Sequence, residues 1–303
     1  MAKKTKKNKV DRYIDSLHSI DDKLVVITGA NSGLGYEIAR VALLKGARVV
    51  MACRSLERAE ASKNKLIEDT KSEKIEIFQY DQSDFKSVER FSDALKTQYK
   101  DFYALILNAG LFLPKEVLDE YHVSIVYRNN FLGAYALLKS LEDFINESEH
   151  ERRVIIQGSL ASFVHKYKNK DNFIYGNDRP MKQYALSKLC CSNMYVYYKN
   201  RNFNPNVKYL LSEPGVAATG LFKTFKEWFR RLTVFALSIV TNDAREGSLS
   251  ACKLMCDLAA NGDYYKPKHF FSSTGLPKKS LYSKKYIFEN IISDADEMLK
   301  QYQ

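Results

Sequence analysis

A chain of 303 residues, 45% hydrophobic and 27% charged, has the material for one sizeable core and does not fit a disordered or fibrous protein. Its longest uncharged apolar stretch, 232–240, is too short to span a bilayer as a helix, and no apolar segment of signal-peptide kind follows the basic start. The formal charge of +11 is uneven: five lysines and no acid lie in the first ten residues, a nucleic-acid or anionic-membrane arm on one reading and a solvated terminus on the other, which the lack of interleaved aromatics favours.

The pattern then alternates strand and helix. Leu24-Val25-Val26-Ile27 is a β-branched run that ends at Thr28-Gly29. Apolar residues at helical spacing follow from Gly33 to Lys45, and Gly46 closes that helix. Val49–Ala52 is a second strand, and Ser55 is placed to cap a charged helix running to about Asp69. A third strand, Ile75–Phe78, precedes a helix capped by Ser83 or Asp84 and running through Leu95. Ala104–Leu107 is the fourth strand, followed by a long helix from about His122 to Phe144. Val154–Ile156, a helix over Gln183–Lys199, Val207–Leu211, a helix over Ala244–Leu258 and a short strand near His269–Phe271 complete the series. The expected fold is α/β: a single-domain Rossmann-type, doubly wound parallel sheet of about seven strands with helices on both faces. A flexible basic arm is expected over 1–22, the catalytic domain over 23–275 and a C-terminal helical extension over 276–303.

The five cysteines, Cys53, Cys190, Cys191, Cys252 and Cys256, are odd in number and form no CxxC, which points to free thiols in a reducing, cytoplasmic compartment. Cys252 and Cys256, four apart on a helix, read as packed thiols. The five histidines form no ligand constellation, so no metal is expected.

The first strand runs into Gly29-Ala30-Asn31-Ser32-Gly33-Leu34-Gly35 and then a helix. Glycines there let the backbone turn tightly and approach a pyrophosphate, and the helix N-terminus presents free N–H groups and a positive dipole end. The second strand ends Ala52-Cys53-Arg54 without an acid. An acid would bind a ribose 2′-hydroxyl, whereas Arg54 would attract a 2′-phosphate, so NADP(H) is the expected cofactor unless Arg54 is only a surface arginine.

Together with motifs further along the chain, this glycine spacing resembles the short-chain dehydrogenase/reductase family, over roughly residues 23–258. Asn108-Ala109-Gly110 after the fourth strand is similar to that family's NAG motif, and Asn130 to its tetrad asparagine. Ser159 after the fifth strand is similar to its serine, with Ser162 as a rival. Tyr184-Ala185-Leu186-Ser187-Lys188 is similar to its YxxxK, and Pro214-Gly215-Val216 with Thr219 to its PG motif. Asp81, with Gln82 beside it, sits where members contact the adenine. The wording Ala52-Cys53-Arg54 and Arg245-Glu246-Gly247 resembles the retinol-dehydrogenase-like branch. Gly158-Ser159 and Thr219-Gly220-Leu221-Phe222 resemble light-dependent protochlorophyllide reductases.

The chemistry fits these residue types. Tyr184 and Lys188 lie four apart and share a helix face. An ammonium there stabilises a phenolate, so Tyr184 is the expected acid/base for carbonyl reduction or alcohol oxidation. Ser159 would hold the substrate oxygen. The resemblance implies that Lys188 also binds the nicotinamide ribose and that Asn130 holds a proton-relay water. It also implies homodimers.

Two segments depart from simple expectation. Ser159 and Tyr184 are 25 positions apart, and the polar, aromatic residues between them read as a substrate-facing flap or a surface excursion. After the PG motif, Leu221, Phe222, Phe225, Trp228, Phe229, Leu232, Phe235 and Ile239 recur at helical spacing among Lys223, Lys226, Arg230 and Arg231. This stretch, near 219–243, reads as a lid over a hydrophobic small-molecule substrate, as a peripheral membrane contact, or as core or dimer packing. No specific nucleic-acid partner is expected. The rival to an NADP(H)-dependent oxidoreductase is a non-catalytic dinucleotide sensor, which would have no reason to keep all four of Asn130, Ser159, Tyr184 and Lys188.

Overall fold

Strands that read as unbroken apolar runs occupy the middle of one sheet. In the computed structural model, which describes residues 8–112, 114, 118–173, 180–215, 243–269 and 274–302, β1 (Leu24–Thr28), β4 (Ala104–Leu107) and β5 (Arg152–Gln157) are buried along their whole length. β2 (Arg48–Cys53) and β3 (Ile75–Gln79) lie to one side of them. β6 (Val207–Ser212), β7 (Tyr264–His269) and β8 (Thr274–Ser280) lie to the other. The order is β3-β2-β1-β4-β5-β6-β7-β8, parallel throughout except for antiparallel β8. The strand order therefore reverses between β1 and β4. In open α/β sheets that switch point, at the carboxyl ends of the strands, is where ligands bind.

Helices cover both faces. The first face carries α1 (Lys9–Ser16), α2 (Gly33–Leu44), α3 (Leu56–Thr70) and α9 (Ala244–Cys256), which meet Val25, Ile27 and Ile155. The second carries α4 (Phe85–Ala94), α5 (Ile125–Tyr127), α6 (Gly133–Ser140), α7 (Glu142–Asn146), α8 (Pro180–Arg201) and α10 (Asn290–Leu299), which meet Val26, Leu105 and Ile156. Alternation along each strand assigns neighbouring residues to opposite cores. All five cysteines are free and buried. Among the described residues no helix is long and apolar enough to cross a membrane.

Several expectations need correction. The sheet has eight strands, not seven. β8, TGLPKKS, carries no apolar run because it is a half-exposed edge strand, with Pro267 of β7 opposite its Pro277. The boundary expected at 275 therefore falls inside a strand, and after a 3₁₀ turn at Lys284–Tyr286 the α-helix begins at Asn290. Within the arm expected over 1–22, Asn8 caps α1, and Ile14, Leu17 and Ile20 are buried, their apolar spacing masked by the lysines before them. The long helix expected over 122–144 starts at Ile125, widens into a π-turn over Arg128–Leu132, and is interrupted at Leu141 before α7. The excursion between Ser159 and Tyr184 differs as well. Its described part lies largely at the surface but is pinned by two buried aromatics, Tyr167 and Phe173, the latter stacked on Tyr127 with centroids 3.7 Å apart. The C-terminal segment holds it from outside: Tyr167 donates to Asp294 at 2.8 Å, and Asn290 donates to the Lys168 carbonyl at 3.0 Å.

Candidate active site

The turn after β1 is shaped by its glycines. Gly29 and Gly33 have φ of +68° and +57°, a region L side chains rarely adopt. Gly35 is helical, yet a Cβ there would lie 2.4 Å from the Gly29 carbonyl oxygen and 2.5 Å from Asn108 Nδ2. Asn108 explains the crowding: its Nδ2 donates to the Thr28 carbonyl at 2.9 Å and the Gly29 carbonyl at 3.3 Å. Thr28 Oγ1 in turn accepts from the Asn108 and Ala109 amides, both at 3.0 Å. The 108–110 loop is thereby locked over the glycine turn.

A cleft of about 850 Å³ opens above these strand ends, within the range of small-molecule and cofactor sites. One end is bounded by the glycine turn (Gly29, Asn31, Ser32, Gly33, Leu34), by Arg54 after β2 and by Asp81 after β3. Asn108, Ala109 and Gly110 form its middle. Ser159, Tyr184, Lys188, Pro214 and Gly215 bound the other end. Gln82 also borders the cleft, but its amide is engaged as a strut, donating to the carbonyls of Asn129 at 2.6 Å and Ala109 at 3.2 Å. Gly35 lies beneath the wall. Val216 and Thr219, and the lid expected over 219–243 with its aromatic residues, lie outside the described residues.

The cradle fits a dinucleotide. α1, α3, α4 and α9 have first turns capped by Asn8, Ser55, Asp84 and Asp243, whereas no side chain caps α2 at Ser32, and its N-terminus faces the cleft. Unsatisfied N–H groups and the dipole end there suit a pyrophosphate. Arg54 is exposed and reaches the cleft together with Arg58, one turn into α3. Arg58 was missed from the sequence. Its signal was its place four residues after Arg54, on the turn that Ser55 caps.

Ser159, Tyr184 and Lys188 meet at the far end. Ser159 Oγ accepts from the Ala161 amide at 3.2 Å, which leaves its proton free to be donated. Ser162 is fully buried and borders no part of the cleft. The Tyr184 ring meets Phe112 edge-on, with centroids 4.8 Å apart. Lys188, 7% exposed, donates from Nζ to the Gln157 carbonyl at 3.1 Å. Asn130 stands behind the wall. Its Nδ2 donates to the Leu111 carbonyl at 3.0 Å and to Ser187 Oγ at 3.2 Å, its Oδ1 accepts from the Leu111 amide at 2.6 Å, and its carbonyl accepts from the Cys191 thiol at 3.1 Å. Ser187 passes the connection on to the Tyr184 carbonyl at 2.8 Å. The Asn130 amide thus braces the 108–111 loop against α8. A Cβ on Gly110 would lie 3.2 Å from Asn130 Oδ1 and 3.7 Å from Lys188 Nζ, so both groups converge on that glycine.

The apolar residues around Tyr184 carried no signal in the sequence. Phe112, Leu160, Ala161 and Met181 border this end of the cleft. Behind it, Glu213 is wholly buried next to Gly158. Burial pushes its carboxyl up to about 7, against the smaller opposing effects of the Tyr264 hydroxyl and Lys266.

Residues 23–172 match a family model described as short chain dehydrogenase. Over 223 residues the chain is 30% identical to short-chain dehydrogenase TIC 32 B, chloroplastic, of Brassica napus, covering 69% of each chain. It is 28% identical over 194 residues to a WW domain-containing oxidoreductase of Gallus gallus, covering 62% of this chain and 47% of that one. It is 31% identical over 179 residues to retinol dehydrogenase 12 of Mus musculus, covering 58% and 54%. The chain thus spans about half the length of most curated relatives it matches. Among solved structures, an uncharacterised protein from Mycobacterium Paratuberculosis shares the fold with TM-score 0.73 at 22% identity, covering 95% of this chain and 97% of that one.

Proposed function

Because the chain belongs to the short-chain dehydrogenase/reductase family, whose members bind a nicotinamide dinucleotide, we propose that it transfers hydride between NADP(H) and a hydrophobic carbonyl or alcohol. The observation that carries this reading is one cleft with a glycine cradle and two arginines at one end, and Ser159, Tyr184 and Lys188 within an apolar collar at the other.

The cofactor supplies or accepts the hydride at its nicotinamide ring. Gly29, Gly33 and the α2 N-terminus would hold its pyrophosphate, and Arg54 and Arg58 would hold its 2′-phosphate. Asp81 borders the adenine side, and Asn108, Ala109, Gly110, Pro214 and Gly215 enclose the middle and the ring end. In reduction, Tyr184 donates its phenolic proton to the substrate oxygen, and in oxidation it takes that proton back. Ser159 donates a hydrogen bond to the same oxygen and stabilises the charge that develops there. Lys188, one helical turn from Tyr184, would supply positive charge to the phenol and bind the ribose hydroxyls. Asn130 positions the loop and helix that meet at Gly110. Phe112, Leu160 and Met181 favour an apolar substrate, since burying apolar surface contributes roughly 25 cal/mol per Å². Free thiols agree with a reducing compartment, for which we propose the cytoplasm.

The deciding experiment follows loss of reduced-nicotinamide absorbance with hydrophobic aldehydes, ketones and quinones. NADPH, NADH and Tyr184→Phe are run side by side. Turnover with NADPH that vanishes in Tyr184→Phe, while NADPH binding persists, supports the assignment. Equal turnover in Tyr184→Phe would remove Tyr184 as acid/base. Tight NADPH binding without turnover on any compound would move weight to a dinucleotide sensor.

A further inference from the structure

Orphaned buried polar atoms gather at the catalytic end of the cleft. Gln157, the last residue of β5, is 3% exposed, and neither Nε2 nor Oε1 has a hydrogen-bond partner among the described residues. Ser212 pairs with it across the β5–β6 ladder, is wholly buried, and its Oγ likewise has none among the described residues. Buried polar groups are nearly always satisfied, because an unpaired one costs about 1–3 kcal/mol. Two adjacent exceptions in one rung of a sheet call for a partner.

The pleat says where they stand. Ile155 and Leu210 belong to the core beneath α2 and α9, and Ile156 and Leu211 to the core beneath α8. Alternation places the Gln157 and Ser212 side chains on the α2 and α9 side. The Gln157 main-chain carbonyl meanwhile receives Lys188. Gln157 borders the cleft, as does Ala244 at the start of α9. Its amide is thus buried beside the chamber whose opposite wall carries Tyr184 and Lys188.

We infer that the Gln157 amide, assisted by the Ser212 hydroxyl, hydrogen-bonds the primary carboxamide of the nicotinamide ring and fixes which way the ring faces. A carboxamide side chain offers one acceptor oxygen and a donor NH₂, the complement of another primary carboxamide. Gln157 is a positioning residue for the reaction proposed above, and the inference rests on that reading.

The test measures dissociation constants by titration calorimetry on the full chain. The probes are NADP⁺, its 3-acetylpyridine analogue, which lacks the NH₂ donors, and 2′,5′-ADP, which lacks the nicotinamide half. The wild type is expected to bind NADP⁺ about tenfold or more tighter than the acetyl analogue. Gln157→Met is expected to lose that preference, to bind 2′,5′-ADP as the wild type does, and to melt no lower in the absence of nucleotide. Ser212→Ala is expected to narrow the preference in part. Retained preference in Gln157→Met overturns the inference and leaves dinucleotide binding standing. A large fall in melting temperature without nucleotide overturns it too, showing the amide to be a structural strut. If the wild type binds neither NADP⁺ nor 2′,5′-ADP, the dinucleotide reading itself fails and takes this inference with it.

Discussion

Lys188 Nζ donates to the main-chain carbonyl of Gln157 at 3.1 Å, so the ammonium is anchored to the end of β5 as well as to its own helix. The contact fixes α8 against the strand that leads to Ser159 and sets the charge one helical turn from Tyr184.

This anchoring defines the expected behaviour of Lys188→Met. Methionine fills similar length without charge, so the variant should fold and melt within a few degrees of the wild type. Turnover should fall by roughly 10²–10⁴, the range for loss of a group that supports proton transfer. Steady-state rates and thermal melts on the same preparation decide it. A variant retaining most of its turnover would show that the ammonium serves only to tie α8 to β5.

The two arginines make a separable prediction. Arg54→Ala should weaken NADPH binding by about 10–100-fold, the value of a charge-assisted hydrogen bond, and leave NADH binding unchanged. Arg58→Ala should act in the same direction with smaller effect, because Arg58 stands one turn further along α3. Raising salt should narrow the wild-type preference, since both arginines are exposed. Equal losses for NADPH and NADH in a fluorescence titration would remove the 2′-phosphate assignment.

Gly35 tests the lock between the glycine turn and the 108–110 loop. Its virtual Cβ meets the backbone oxygen of Gly29, which has no freedom to swing away, and Asn108 Nδ2, which is held by two carbonyls. Gly35→Ala should cost about 1–3 kcal/mol of stability, as overpacking does, and weaken NADPH binding as well. Denaturant melts with and without NADPH separate the two effects. An unchanged melt would mean that the turn can relax without its lock.

Much of this arrangement was legible in the sequence because it rests on local chemistry. Glycines at positive φ, Ser55 and Asp84 as caps, and Tyr184 and Lys188 four apart on a helix each leave a mark within a few residues. What was hidden depends on distant partners. Tyr167 and Phe173 look like loop aromatics until Tyr127 and Asp294 are brought to them. β8 is invisible because an edge strand needs no apolar face, only the ladder of β7. Asn130 stands out in the sequence, but its engagement with Leu111, Ser187 and Cys191 depends on the π-turn, and the periodicity of a helix does not announce one residue of extra winding.

Glu213 leads to a prediction about pH. Its carboxyl is wholly buried, and neither oxygen closes a hydrogen bond of normal geometry. Gly158, just after β5, lies against it, Tyr264 and Lys266 face it from β7, and the Tyr282 hydroxyl is within electrostatic reach. Burial raises it from an ordinary 4.5 to about 7 in the folded chain. Between those values the folded state holds a proton that the unfolded state has released, so stability falls as pH rises through this window and levels off above it. The contribution is present below about pH 4.5 and lost above about pH 7, amounting to about 3 kcal/mol. Glu213→Gln keeps the shape and removes the titration. The variant should match the wild type near pH 4.5 and be the more stable of the two at pH 8, with the gap opening across the window. Denaturant melts of both proteins over that range measure the gap directly, and other titrating groups cancel in the difference. A constant gap at every pH would mean that Glu213 keeps an ordinary carboxylate in the folded chain, held by a partner strong enough to offset its burial.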